Sequence, residues 1–235
     1  MPKDVKLNYE LLNQEYEKYR EYSELSQGIN LLLANIQIES KLKSIPEYKD
    51  YFDHNTGFIE IIEVIPDGTY QHVINCLQIA AELREKGIFR IPGIDTFTVL
   101  QALVTHDIGK QQPKLDVGDI INPETCFPNG KIHASRSAKL IAKYPSVYKN
   151  VISLVKYHHH REDELPKNFP ARLLPMLRLV KLIDGLSAGV TRKNALLCFV
   201  ATGSKITIYE KNPDPVYCGI QEVDLMSGKM MFEHF

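Results

Sequence analysis

The sequence predicts a mostly α-helical protein that closes with a small antiparallel β-meander. Three features carry that reading. Apolar residues recur at helical spacing from about Tyr70 to Leu186. From Ser204 the pattern changes to period two, with Ile206 and Ile208 alternating against polar neighbours. Histidines and aspartates interrupt the apolar stripes of five of the predicted helices, where a simple core would carry only apolar side chains.

At 235 residues the chain fits one domain with appendages and can bury a sizeable core. A net charge of −1 gives no global pull toward nucleic acid or a membrane surface. No apolar run approaches the roughly 20 residues that span a bilayer. The start, Met1 to Lys6, lacks the apolar stretch of a signal peptide, so the cytoplasm is the expected compartment. Cys76, Cys126, Cys198 and Cys218 are widely separated and form no CxxC pair, which argues against a disulfide framework or a zinc knuckle. The chain divides into an N-terminal helical arm (1–50), a helical core (51–200) and the meander (201–235).

In the arm, Leu12, Tyr16 and Tyr19, then Leu31, Leu32 and Ile36, recur at helical spacing, and Ile45-Pro46 ends the run. The arm reads as a helical cap or as a dimerisation element. Phe58 to Ile65 fits either a short strand or a buried helical turn. Pro66-Asp67-Gly68-Thr69 is a turn into a helix over 70–86, which stops at Gly87. On that helix His72, Cys76, Ile79 and Leu83 share one face. Taken alone, His72 reads more readily as a satisfied core histidine than as a ligand.

Asp95 or Thr96 caps the next helix. Val99, Leu103 and His106 share one stripe, and Leu100, Val104 and Asp107 share the adjoining one, so both His106 and Asp107 look inward. A buried carboxylate beside a histidine needs compensation, and a cation supplies it. A polar stretch to about Gly130 reads as a loop over a site. His133 opens another helix. The following helix, over 147–159, carries Val147, Val151, Leu154 and His158 on one face and Tyr148, Ile152, Val155 and His159 on the next. His160 falls on the polar face, toward solvent. A last apolar helix, over 171–186, places Asp184 in line with Leu173, Leu177 and Val180, with Pro175 near its start and Gly185 and Gly189 loosening its end. The meander is read as three strands, with Asn212-Pro213-Asp214-Pro215 and Met226-Ser227-Gly228 as turns.

The inward polar set is therefore His72, His106, Asp107, His133, His158, His159 and Asp184. Imidazole with carboxylate suits Fe, Mn, Zn, Co or Ni, whereas Ca and Mg prefer an all-oxygen shell; Mg remains an alternative. Seven groups exceed one tetrahedral site and suffice for two divalent ions if Asp107 bridges them. Two ions about 3.5–4 Å apart activate a bridging water and clamp a phosphoryl oxygen. Lys110 stands where its charge would stabilise a developing phosphorane, although a lysine there also suits a helix C-terminus. Arg136 is a further phosphate-binding candidate.

The order His, His-Asp-x-Gly-Lys, His, His-His, Asp resembles the HD-domain metal-dependent phosphohydrolases over roughly residues 70 to 192. That resemblance implies a helical HD bundle with His72, His106, Asp107 and Asp184 at one metal. The other would be held by Asp107, His133 and His158 or His159. Within the family, His-Asp-Ile-Gly-Lys with later histidines is similar to the HD-GYP cyclic-dinucleotide phosphodiesterases, with Asn168-Phe169-Pro170 standing about where those carry Gly-Tyr-Pro. It is also similar to the HD nucleases of CRISPR systems. The leading expectation is a phosphohydrolase or phosphodiesterase acting on a nucleotide-like ester. The alternatives are a single-strand nuclease of a defence system and a non-catalytic, nucleotide-binding regulatory module. A homodimer through the N-terminal helices or the C-terminal strands is the expected assembly if one forms.

Overall fold

The computed structural model describes residues 36–144 and 147–234. Most of the predicted N-terminal arm lies outside these residues. Its last part is helix α1, Ile36–Lys43.

A hairpin follows, made of β1 (Tyr48–Asp53) and β2 (Phe58–Val64). Phe58 to Val64 is thus a strand, with Ile59 and Ile61 buried and their neighbours exposed. A third, two-residue strand, β3 (Ile120–Ile121), adds to β2. The expected loop between Lys110 and Gly130 therefore carries a strand and a short helix, α4 (Pro123–Cys126). Tyr48 ties this stretch down. Its hydroxyl donates to the Pro113 carbonyl at 2.7 Å and accepts from the Leu115 N–H at 3.0 Å.

Helices α2 (Thr69–Glu85), α3 (Thr96–Thr105), α5 (Gly130–Ile141), α6 (Lys149–Tyr157) and α7 (Leu174–Lys193) make the bundle. The Asp95 carboxylate caps α3 by accepting from the Thr98 N–H at 2.7 Å. Gly87, at φ 88°, turns the chain out of α2 through the left-handed region. Helix α7 is central and packs on α2, α3, α6 and β1. Leu83, Leu103, Leu154, Leu177 and Ile183 are fully buried at this junction. Each contributes roughly 1.5–3 kcal/mol by leaving water.

α7 runs past the expected stop at residue 186, through Gly185 and Gly189. Each glycine costs a helix about 1 kcal/mol, but Leu186, Ser187 and Thr191 are buried on the same turns, and tertiary burial outweighs propensity. Pro175 does not break it, because it sits in the first turn, where no N–H is needed.

A second sheet, β4 (Leu196–Thr202), β5 (Lys205–Lys211), β6 (Gly219–Asp224) and β7 (Met230–His234), is antiparallel in sequence order. It has four strands where the alternation predicted three, and it begins before the expected boundary at residue 201. The run Leu-Leu-Cys-Phe-Val-Ala-Thr alternates in burial only around Phe199, so it carries little period-two signal. The chain is thus a helical core with two small sheets, and "mostly α" describes the core better than the whole. Among the described residues, no helix is long and apolar enough to cross a membrane.

Candidate metal centre

Five helices bring the predicted set to one place. His72 comes from α2, His106 and Asp107 from the end of α3, His133 from the first turn of α5, His158 and His159 from the end of α6, and Asp184 from α7. His72, His106, Asp107, His133 and His158 are buried, and the Asp184 side chain is 15% exposed.

The distances define two subsets that share a carboxylate. His72 Nε2 is 3.1 Å and His106 Nε2 3.4 Å from Asp184 Oδ1, and the two nitrogens are 3.3 Å apart. Asp107 Oδ1 is 3.8 Å from His106 Nε2, 2.9 Å from His133 Nε2 and 3.9 Å from His158 Nε2. His159 is exposed overall, yet its Nε2 lies 2.9 Å from His133 Nε2. His160, expected in solvent, is only partly exposed, and its Nδ1 is buried without a hydrogen-bond partner. The cause is the helix end: α6 stops at Tyr157, so residues beyond His158 leave the helical face assignment.

The remote ring nitrogens are anchored. His106 Nδ1 donates to the Leu103 carbonyl at 2.8 Å, and His158 Nδ1 donates to the Val155 carbonyl at 2.7 Å. The Ser187 hydroxyl donates to the His72 carbonyl at 2.8 Å and accepts from His72 Nδ1 at 3.0 Å. Each bond commits the Nδ1 proton away from the centre and aims Nε2 into it, which is how outer-shell partners prepare imidazole ligands.

Electrostatics suit a cation. Burial disfavours the Asp107 carboxylate, but Lys110 and His106 outweigh it and hold the group well below the usual carboxylate range. At Asp184, hydrogen bonds from His106 and His72 likewise overcome burial. Burial, with His106 and His159 beside it, keeps His158 well below the ordinary imidazole value. Burial lowers His159 to about 4. His106 goes the other way: Asp107 and Asp184 overcome its burial and raise it to about 9.

The fit to metal rests on unmet polar atoms. Asp107 Oδ1 and His158 Nε2 are buried with no hydrogen-bond partner. The 2.9 Å contact of Oδ1 with His133 Nε2 is near enough for charge attraction but is not directed as a hydrogen bond. Such atoms are costly in a dry interior. Asp107, His133, His158 and His159 each offer a ligand atom, all close enough together for one ion, and so do His106, His158 and Asp184. The imidazole-rich donor set suits a transition metal.

Lys110 is buried, and its ammonium is shared by Asp107 Oδ2 at 3.2 Å and by Glu47 Oε1. Glu47, from the segment before β1, was missed in the sequence. It also takes Arg192 at 3.0 Å and accepts from the Thr69 hydroxyl at 3.2 Å. Gly68 makes that approach possible: a Cβ there would stand 2.0 Å from the Ile45 carbonyl oxygen. Burial opposes the Glu47 charge, but Arg192 and Lys110 bring the group to about 2. No local pattern marks Glu47, because its partners lie far away along the chain. Arg136 is exposed and bonded to Gln111, which lines the cavity over the centre where Arg136 itself does not. That cavity is about 460 Å³ and is bounded by the ligand set, Glu47, Lys110 and Arg192.

Comparison with protein-family models matches residues 69–189 to the HD domain. No curated protein and no solved structure matches the chain.

Proposed function

The chain belongs to the HD-domain family, whose members are generally metal-dependent phosphohydrolases, and from that membership we propose that it hydrolyses a phosphate ester of a nucleotide-like substrate at a dinuclear centre. One observation carries this reading. Two ligand subsets meet at Asp107, whose Oδ1 is buried and unsatisfied between them.

His72, His106 and Asp184 would hold one ion, and His133, His158 and His159 the other, with Asp107 common to both. When bound, the ions supply Lewis acids that polarise a phosphoryl group and lower the pKa of water. The remaining work belongs to the chain. Lys110 fixes Asp107 Oδ2 and keeps the carboxylate ionised, leaving Oδ1 free toward the histidines. Glu47 in turn fixes Lys110. Lys110 therefore acts through Asp107, as a positioning residue, more than on the phosphate. The Nδ1 anchors of His72, His106 and His158 hold the imidazoles before substrate arrives, so little reorganisation is left for the reaction.

The test is elemental analysis of protein purified without chelator or air, followed by assay of p-nitrophenyl phosphodiesters. About two equivalents of transition metal with metal-dependent turnover is the expected result. No metal after reconstitution would make the inward histidines core residues and end the proposal.

A further inference from the structure

Beside the metal cavity lies a larger groove of about 930 Å³, between α7 and the two sheets. Asp50, Phe127, Lys181, Gly185, Ala188 and Arg192 line both spaces, so the two adjoin along α7. Volumes of roughly 300–1,000 Å³ enclose small organic ligands. Resting on the hydrolase reading above, we infer that this groove seats the organic part of the substrate, an uncharged, ring-bearing group of at least nucleoside size, and that Gly185 keeps the passage to it open.

The charges along α7 decide between a small ester and a nucleic-acid strand. A strand needs unpaired cations along its backbone track. Arg178 is held by Glu162 at 2.6 and 2.7 Å, Arg192 by Glu47, and Lys193 by Asp50. Lys181 differs, since its ammonium donates to the His160 carbonyl at 2.5 Å and has no carboxylate partner among the described residues. One such cation, three residues before Asp184 and at the junction of the two spaces, suits one phosphate. Beyond it the lining is mainly apolar, with Phe52, Leu177, Leu182, Tyr217 and Val223, interspersed with polar side chains such as His54, Glu210 and Asn212. Base rings stack on aromatic side chains such as Phe52 and Tyr217 and pack against the aliphatic ones.

α7 is thin where the passage runs. Asp184, Ala188 and Arg192 follow at four-residue spacing on one face, with Gly185 and Gly189 beside them. A Cβ on Gly185 would meet nothing within 4 Å. A side chain there would start into open space, at the place where the two cavities adjoin.

The experiment compares two esters with the same leaving group, methyl p-nitrophenyl phosphate and thymidine 5′-p-nitrophenyl phosphate, on Mn(II)-reconstituted protein. The wild type is expected to favour the thymidine ester in kcat/KM by about tenfold or more. Gly185→Leu is expected to abolish that ratio while metal content stays at the wild-type value. No wild-type preference, or a preference that survives Gly185→Leu, overturns the inference while leaving the hydrolase reading intact. If neither ester turns over on metal-loaded protein, the hydrolase reading has failed on its own. The groove is then judged by calorimetric binding of thymidine 5′-monophosphate. About tenfold weaker binding by Gly185→Leu supports it, and equal affinity overturns it. Oligothymidylate that binds far tighter than the mononucleotide, with a steep salt dependence, also overturns it in favour of a strand.

Discussion

His106 and His158 occupy equivalent stations on different helices. Each is the first residue beyond its helix, and each donates Nδ1–H to the carbonyl three residues earlier, at 2.8 and 2.7 Å. Their rings meet edge to face, with centroids 5.1 Å apart. A helix end supplies unpaired carbonyls, and here two helix ends use them to orient imidazoles toward one carboxylate, Asp107.

Asp107→Asn keeps the shape of that carboxylate and removes its charge. Lys110 and the facing histidines lose their shared anion. Metal content and turnover are expected to fall together, turnover by more than the roughly 10–100-fold that loss of an outer-shell partner costs. Elemental analysis beside the ester assay checks it. Full turnover with Asn at this position would refute the bridging role.

The metal-free protein should respond to pH through His106. Its pKa is raised from 6.5 to about 9, so its stabilising contribution is complete below pH 6.5 and is lost as pH rises through 9. A metal ligand must be unprotonated. At neutral pH, metal binding should therefore release about one proton from His106, and affinity should climb toward pH 9. Calorimetry in buffers of different ionisation enthalpy measures the proton count. The melting temperature of the apoprotein should fall over the same range while the metal-induced rise grows.

Gly109, inside His-Asp-Ile-Gly-Lys, lies against α5. A Cβ there would stand 2.5 Å from the Ser137 backbone nitrogen, and the Gly109 N–H donates to the Ser137 hydroxyl at 2.9 Å. Gly109→Ala must push α5 outward, and His133 rides on α5. The expected cost is about 1–3 kcal/mol of stability, as for other overpacked sites. Metal loss is expected chiefly in the subset that His133 serves. Urea unfolding and metal stoichiometry report the two effects separately.

The ligand helices were legible because a 3.6-residue period places His72, His106, Asp107, His158 and Asp184 on otherwise apolar stripes, and a polar group in such a stripe needs a reason. The hairpin was not legible as such. Phe58 to Val64 is too short to separate strand from helix, and β1 is a strand of mostly charged and aromatic residues with only Tyr48 fully buried. The His159 and His160 orientations depended on where α6 ends, a matter of two residues. Glu47 carried no sequence signal, since a buried acid becomes intelligible only when its distant cations are in place.

Glu47 yields the sharpest stability prediction. It is 1% exposed, it neutralises Lys110 and Arg192, and it accepts from Thr69. Glu47→Gln takes the anion from Arg192 and one of two anions from Lys110, whose other partner is Asp107. Lys110 is buried, with 9% of its side chain exposed, whereas the Arg192 side chain is 36% exposed and can turn to water, so the cost arises mainly at Lys110. Breaking a buried pair by removing one member costs about 3–5 kcal/mol. The expected result is an unfolding free energy, taken from urea titration, lowered by that amount, with weaker metal retention because Lys110 no longer holds Asp107 in place. Removing the Lys110 charge as well, in Glu47→Gln with Lys110→Met, should recover only part of the stability, since Asp107 then loses its ammonium partner, and none of the activity. The Glu47 pKa, lowered from 4.5 to about 2, sets the wild-type acid response: its contribution is whole above pH 4.5 and is lost as pH falls toward 2. In the Glu47→Gln chain that part of the acid transition should vanish. A double mutant no more stable than Glu47→Gln would show that the network does not act as a unit.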